Sequence, residues 1–455
     1  MSGLFSVIRN NLRSLSNFQA ALAVINDNVA NVNTPGYTRK RVILTSTEPV
    51  TRSFGQIGTG AEISRVEGVR DQFIERRLIL ELQSQGFFAG QQFGLEQIEG
   101  TVFSSAEAGI SDQLSRFFNA FSDLANDGSS LPLRQSVLSE AEGLADQFNN
   151  AFQSLGRLAL DNQQQIKDTV GQINELTQRI ADLNGEITRT GVLGQDGGTI
   201  EDQRQLALNQ LAELVEFRTY SDENGVLTVT TTSGTPLVLG TENRAMSVDT
   251  SGSGAVILVD GRDVTDDITG GQLGGQLVLD RETIPSFIEE LDVLAEEVAT
   301  QVNNLHVTGE DLDGNAGQPF FSFTPGGAAG SISVAISDPR QLAVRTPGSG
   351  VGNVDIALQL SGLRDQRFAA LNDRTFNEFH SDIVFRAGLE SRNVQENLAV
   401  QQLVLEQVRA ARDSVSGVSL DEEAVNLVQF QRAYEASARV FQVVDQLLEE
   451  TMNLI

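Results

Sequence analysis

Apolar residues recur along this chain mostly at helical spacing. Over the first 32 residues Ile8, Leu15, Leu22 and Val29 lie seven apart, and so do Leu4, Phe18, Ile25 and Val32. Only Asn11 breaks the second row, with Leu12 beside it. Two rows offset by three and four residues form the a/d seam of a coiled coil. Taken alone, the segment also fits one amphipathic helix packed on its own domain. The far end repeats the pattern. Leu420, Leu427, Tyr434, Phe441, Leu448 and Ile455 are six apolar residues at seven-residue spacing, flanked by Phe430 and Val444 on one side and Ala424, Ala438 and Met452 on the other. Gly417 precedes this helix, and Ser419 with Glu422 has the S-x-x-E form of a capping box. Both ends are therefore predicted to be helices with a narrow apolar seam.

Between them, Val137, Ala141, Leu144, Phe148, Phe152 and Leu155, then Ile166, Val170, Ile173, Ile180, Leu183 and Ile187, predict a helix over 133–189. Pro132 starts it well and Gly191 stops it. A further long run spans 373–413, and shorter helices fit 70–98, 110–126, 200–216 and 284–305. Long helices from distant parts of the chain suggest one elongated bundle. The texture changes in "YSDENGVLTVTTTSGTPLVLG", where two β-rich runs flank a Ser-Gly-Thr-Pro turn; "GAVILVDG" and "GQLVLD" follow. The expected fold class is mainly α with β inserts. Terminal coiled-coil helices form an assembly domain over 1–65 with 415–455. A helical bundle domain covers 66–216 with 281–308 and 351–414. A small β-rich domain is inserted at 217–280, and an irregular β-leaning insert at 309–350.

Charge adds a polarity to the two ends. Residues 1–52 carry Arg9, Arg13, Arg39, Lys40, Arg41 and Arg52 against Asp27 and Glu48, a balance of +4. Residues 418–455 carry two arginines against seven acidic residues, a balance of −5. Complementary seams and charges favour pairing of the ends, with each other or with neighbouring copies. A lone two-helix pair leaves much of each seam exposed, so order at the ends is expected only on assembly. The whole chain, 455 residues with a formal charge of −29, repels phosphate backbones and anionic membrane surfaces. No apolar run is long enough to span a bilayer. Cysteine is absent, which excludes disulfides and thiolate chemistry. The start, "MSGLFSVIRNNLRSLSNF", has no small-residue cleavage site after an apolar core, so an exported protein would leave by a route without a cleavable signal peptide.

Candidate chemistry is sparse. His306 and His380 are the two histidines; no motif links them, and both read as structural or surface residues. "EDLDGNAGQPFF" resembles the start of a calcium loop through Asp311, Asp313 and Asn315. It then places Ala316 where glycine is needed and Ser322 where the bidentate glutamate belongs. It reads as a polar turn that feeds Phe320 and Phe321 into the core. "GGQLGGQ" at 270–276 lacks the Lys-Ser/Thr of a phosphate loop and reads as a pair of tight turns. Nothing argues for an enzyme, a metal or a cofactor.

The stretch "ANVNTPGY" at 30–37 resembles the N-terminal signature of axial proteins of the bacterial flagellum (rod, hook and hook-associated proteins). "GVSLDEEAVNLVQFQRAYEASARVFQVVDQLLEETMNL" at 417–454 resembles the other end of that pattern. Inside, "LDVLAEEVATQVNNLHVTGEDLDGNAGQPFF", "DQRQLALNQLAEL", "GQLGGQLVLDRETIP" and "SDPRQLAV" look like hook-associated proteins of the FlgK type. The alternative is a hook or rod protein of the same family; it would call for a β-dominated interior or a shorter chain. The resemblance implies a structural protein at the hook–filament junction, on which flagellin polymerises. Its subunits form a ring, with hook protein and a second junction protein or flagellin as axial neighbours. It further implies type III export of the unfolded chain to the flagellum outside the cell, with a FlgN-type chaperone on the C-terminal helix. Absent cysteines fit that route. In this frame Leu4, Ile8, Leu15, Phe18, Leu22, Ile25, Val29 and Val32 are the N-terminal assembly seam. Leu420, Leu427, Tyr434, Phe441, Leu448 and Ile455 are the C-terminal seam and chaperone contact. Asn33, Thr34, Pro35, Gly36 and Tyr37 become an intersubunit turn, with Arg39, Lys40 and Arg41 nearby for acidic surfaces. The β-rich insert, shorter than in many relatives, is then an outer domain.

Overall fold

The computed structural model describes residues 2–52, 55–102, 109–192, 198–222, 225–252 and 254–453. Helix α1 (Ser2–Ala30) carries the first seam. A β-hairpin follows, with β1 (Lys40–Ser46) continued by β2 (Val50–Arg52), and β3 (Gly55–Ile57) leading back into β4 (Ala61–Gly68). Helix α2 (Gln72–Gln97) starts behind Asp71, whose carboxylate accepts the Phe73 N–H at 2.8 Å, and ends in a π-turn over Ile98–Val102. Then come α3 (Ile110–Leu124), α4 (Leu131–Val192) and α5 (Gly198–Leu214). Seven short strands succeed them: β5 (Arg218–Ser221), β6 (Leu227–Thr230), β7 (Pro236–Leu239), β8 (Glu242–Asn243), β9 (Met246–Asp249), β10 (Val256–Val259) and β11 (Arg262–Asp263). Helix α6 (Gly271–Val278) passes through a π-turn at Leu279–Thr283 into α7 (Ile284–His306). The irregular segment after it holds β12 (Phe321–Ser322), α8 (Ala328–Ser331) and β13 (Ser333–Val334). Helices α9 (Asp355–Gly362), α10 (Phe376–Ser416) and α11 (Leu420–Asn453) complete the chain. With 66% of the molecule helical, the fold is mainly α with small β inserts, as the apolar spacing predicts.

The chain forms two compact units. Unit one gathers Met1–Ser84, Gln172–Met246 and Gln401–Ile455; unit two gathers Gln85–Gly171 and Ser247–Val400. In unit one, strands β5-β6-β7-β8 form an antiparallel sheet. Asn184 of α4, fully buried, pins that sheet. Its amide donates to the Leu227 and Gly240 carbonyls, 2.7 Å each, and its oxygen accepts from Arg204 at 2.8 Å. A buried amide so satisfied fixes register as well as position.

Unit two is organised by phenylalanine. Helix α3 turns Leu114, Phe117, Phe118, Phe121 and Leu124 inward. Phe117 lies within 5.1–5.9 Å, centroid to centroid, of Phe118, Phe121, Phe320 and Phe321. Phe320 and Phe321 arrive from the 311–315 turn and are at most 1% exposed, as the sequence reading expects of them. Asp311 caps that turn, accepting the Asp313 and Asn315 N–H groups at 2.8 Å with one oxygen and the Asn315 side-chain amide at 3.0 Å with the other. His306, wholly buried, has Nδ1 on the Gln318 carbonyl, while Nε2 accepts the Ala343 N–H at 2.8 Å.

Two readings change. The 270–276 stretch is not a pair of tight turns but most of helix α6. Its glycines serve close helix packing: a Cβ on Gly275 would stand 2.2 Å from the Phe87 carbonyl, and from the other side one on Gly90 of α2 would stand 2.3 Å from the Gln272 carbonyl. The strands of 40–68 are absent from the sequence reading. Their ladder shifts register between Ile43 and Leu44, which breaks the two-residue alternation by which a strand is recognised.

Candidate assembly interface

In unit one α1 packs along α11. Phe18 and Phe430 meet at 6.3 Å between ring centroids, and the Gln19 amide donates to the Tyr434 hydroxyl at 3.3 Å. Of the N-terminal seam, Ile25 is buried; Ile8, Leu15, Phe18, Leu22 and Val32 are half-buried; Val29 is exposed. An ideal helix drifts against a seven-residue repeat by ~20° per heptad, so three heptads from Ile8 carry Val29 off the face. Asn28, 1% exposed, takes its place. Of the C-terminal seam, Leu427, Tyr434, Phe441 and Leu448 are half-buried, and Leu420, the first residue of α11, is exposed. The Leu4 side chain and Ile455 lie outside the described residues.

The turn after α1 is closed by its own groups. The Thr34 N–H donates to the Asn31 carbonyl at 2.9 Å, and the Thr34 hydroxyl to the Asn31 side-chain oxygen at 3.0 Å. Gly36 has φ +78°, the left-handed conformation that glycine takes freely. Leu206 sits 3.4 Å from where a Cβ would be. Asn33, Thr34 and Pro35 form an exposed crest. Tyr37 instead points home: its hydroxyl donates to the Asn28 side-chain oxygen at 2.9 Å and lies 3.1 Å from the Asp27 carboxylate. Burial, with Asp27, holds its phenol above the ordinary value, so it stays a donor. Beside the crest runs an open groove of about 730 Å³, with Val32, Pro35, Leu78, Leu82, Leu206 and Val418 among its walls.

The basic triplet is consumed within the chain. Arg39 pairs with Glu422 of α11, Lys40 with Asp27 of α1 at 3.1 Å, and Arg41 with Glu67 of β4 at 2.7 Å. The Arg39 N–H also donates to the Ser416 carbonyl at 2.8 Å, just before α11. Glu422 thus spends its side chain on Arg39 rather than on closing the capping box. Half of the box remains, the Ser419 hydroxyl accepting the Glu422 N–H at 3.5 Å. The residues missed from sequence are Asn28 and Glu423, joined at 3.2 Å. Glu423 is 3% exposed, and burial raises its carboxyl above the usual range against the Asn28 bond and Arg39. Asn28 also brackets Lys40, donating to its carbonyl and accepting its N–H at 2.9 Å each. One amide therefore ties α1, the hairpin and α11 together. The one available signal was its place in the final turns of a seam helix.

The interface joins the two ends of the chain and presents a polar crest, an open groove and the outer side of α11. Comparison with known proteins matches both ends of the chain and its interior. The family model described as flagellar hook-associated protein FlgK helical domain matches residues 95–321. A model for the C-terminal part of flagellar basal body rod FlgEFG proteins matches 411–454, and one for flagella basal body rod proteins matches 8–38. Flagellar hook-associated protein 1 of Bacillus subtilis (strain 168) is 27% identical, over 100% of this chain and 99% of its own. That of Escherichia coli (strain K12) is 24% identical over 99% of this chain and 100% of its own. Among solved structures, the flagellar hook junction protein FlgK from Burkholderia pseudomallei superposes with a TM-score of 0.67 at 17% identity, covering 75% of this chain and 100% of that one.

Proposed function

The chain belongs to the flagellar hook-associated proteins of the FlgK type, a structural family of the flagellar axis and not an enzyme family, and from this premise we propose that it forms the junction between hook and filament. Copies assemble into a ring through the terminal domain, residues 1–65 and 415–455. Hook protein is the neighbour on one side; a second junction protein or flagellin is the neighbour on the other, and flagellin polymerises on that platform. The observation that carries this reading is the half-finished terminal pair. Helices α1 and α11 cover one seam of each other, while Val425, Val428, Val440, Val443 and Leu447 stay 45–67% exposed in one stripe along α11. An apolar stripe of that length on a two-helix pair calls for a covering surface. Neighbouring copies supply it in the ring, and a FlgN-type chaperone supplies it before export. The crest Asn33-Thr34-Pro35 is the polar part of the same contact. Export runs through the flagellar type III apparatus without a cleavable signal, and the assembled protein lies outside the cell.

The test is deletion of the gene, with electron microscopy of the cells and measurement of flagellin in the medium. Hooks without filaments, with flagellin shed, are expected. Missing hooks would move the protein to the hook or rod, and normal filaments would overturn the reading.

A further inference from the structure

Two surfaces outside the terminal pair are complementary to each other. The first is the start of α2 in unit one. Phe73 is 78% exposed and Leu80, two turns on, 62%. The Arg76 guanidinium lies over the Phe73 ring at 5.2 Å, a cation–π contact, and Arg76 has no carboxylate in ion-pair range among the described residues. Arg77 continues the face; among the described residues its one ion pair is with Glu81 at 3.5 Å. An aromatic, two arginines and a leucine at i, i+3, i+4 and i+7 share one side of a helix, and this is the composition of an interface hot spot.

The second surface is a groove of about 520 Å³ in unit two, beside the π-turn that joins α6 to α7. Ile284 and Ile288 give it an apolar wall, and Asp280, Glu289, Asp292 and Glu296 line it. None of the four carboxylates has a basic partner among the described residues. Asp280 is 3% exposed; its Oδ2 accepts the Ala255 N–H at 2.6 Å and its Oδ1 has no partner. Asp292 is 9% exposed and accepts the Ala329 N–H at 2.7 Å. Burying carboxylates without a counter-ion is unfavourable until a cation arrives. π-turns are frequent at functional positions.

We infer that the Phe73–Arg76–Arg77–Leu80 face of one copy seats in the Asp280–Glu296 groove of a second copy. The inference rests on the self-assembly of the proposed function and names one contact that builds it. A guanidinium offers a planar fork to the exposed Glu289 carboxylate, while Phe73 and Leu80 meet Ile288. The basic triplet at 39–41 is a poorer occupant because each member is already paired within its own chain. Patch and groove differ, so the contact is head-to-tail and propagates from copy to copy.

The absence of cysteine makes engineered thiols a background-free probe. A strain in which the Phe73→Cys/Ile288→Cys variant replaces the native protein supplies intact hook–filament structures for mild oxidation. A ladder of dimers and higher multiples is expected, absent with Ile288→Cys alone. Attached filaments without a ladder would overturn the contact and leave the junction reading standing, because that reading is judged by the deletion strain. Arg76→Glu should reduce attached filaments about tenfold or more, and adding Glu289→Arg to the same chain should restore them. Arg76 is exposed, so its loss leaves the fold intact. If the cysteine pair blocks assembly, this charge exchange decides alone: no restoration overturns the pairing.

Discussion

The terminal pair of unit one and the phenylalanine core of unit two use the same apolar periodicity to different ends. In unit two, Phe117, Phe118, Phe121, Phe320 and Phe376 are at most 1% exposed, and α3, α7 and α9 close over them. In the pair, the seam of α11 is only half-buried, and a second apolar stripe faces outward. The difference follows from the number of elements available. A helix of about four turns such as α3, surrounded by several others, can bury its whole apolar face. Two long helices side by side can bury one narrow seam each and no more. The phenylalanine core of unit two is therefore finished by its own chain, and the terminal pair is left to be completed by others.

The sharpest break in that contrast is Phe117→Ala. Deleting a fully buried ring from unit two should destabilise it by about 3–5 kcal/mol, read as a lower urea midpoint by circular dichroism. A change below about 1 kcal/mol would mean the core is looser than its burial implies.

Acidity tests the same unit next. Burial holds His306 and His380 down to about 4, from an ordinary 6.5. Their neutral forms suit the fold, as the Ala343 N–H bond to His306 Nε2 requires. The unfolded chain takes up these protons near pH 6.5, before the folded one does. The stabilisation is thus complete above about pH 6.5, declines as pH falls toward 4, and is spent below it, by on the order of a few kcal/mol. Urea midpoints between pH 7 and 4 should fall accordingly, and His306→Gln should make the slope shallower. An unchanged slope would remove His306 from the account.

In the terminal pair the expected losses are smaller. Phe18→Ala removes a half-buried ring from its contact with Phe430 and should cost about 1–2 kcal/mol, seen as faster hydrogen exchange in α1 and α11 with unit two unaffected. Smallest in stability is Val443→Ser on the outer stripe, within about 0.5 kcal/mol. Yet it should reduce filament attachment in cells. A variant that keeps both stability and filaments would mean the stripe is not covered in the assembly.

The long helices were legible because each offers three or more turns of regular apolar spacing, whereas α8 and α9, of four and eight residues, are too short to show it. That spacing predicts 133–189, and α4 spans Leu131–Val192. That α1 and α11 would be long amphipathic helices was legible for the same reason, and their opposite net charge is a sum over residues. The hairpin was not, because its strands are largely exposed and its bulge breaks the alternation. Nor was α6, whose glycines spell turns until Phe87 and Gln91 come close enough to demand them.

By itself, then, the sequence determined the long helices and the opposite charge of the two ends, since propensity, periodicity and charge are local or additive quantities. Tertiary structure alone decided which carboxylate each of Arg39, Lys40 and Arg41 would take. It also placed Asn28 under Glu423 and turned Tyr37 inward rather than outward. Those choices depend on distances between residues as many as 395 positions apart, and no spacing along a chain encodes a distance across it.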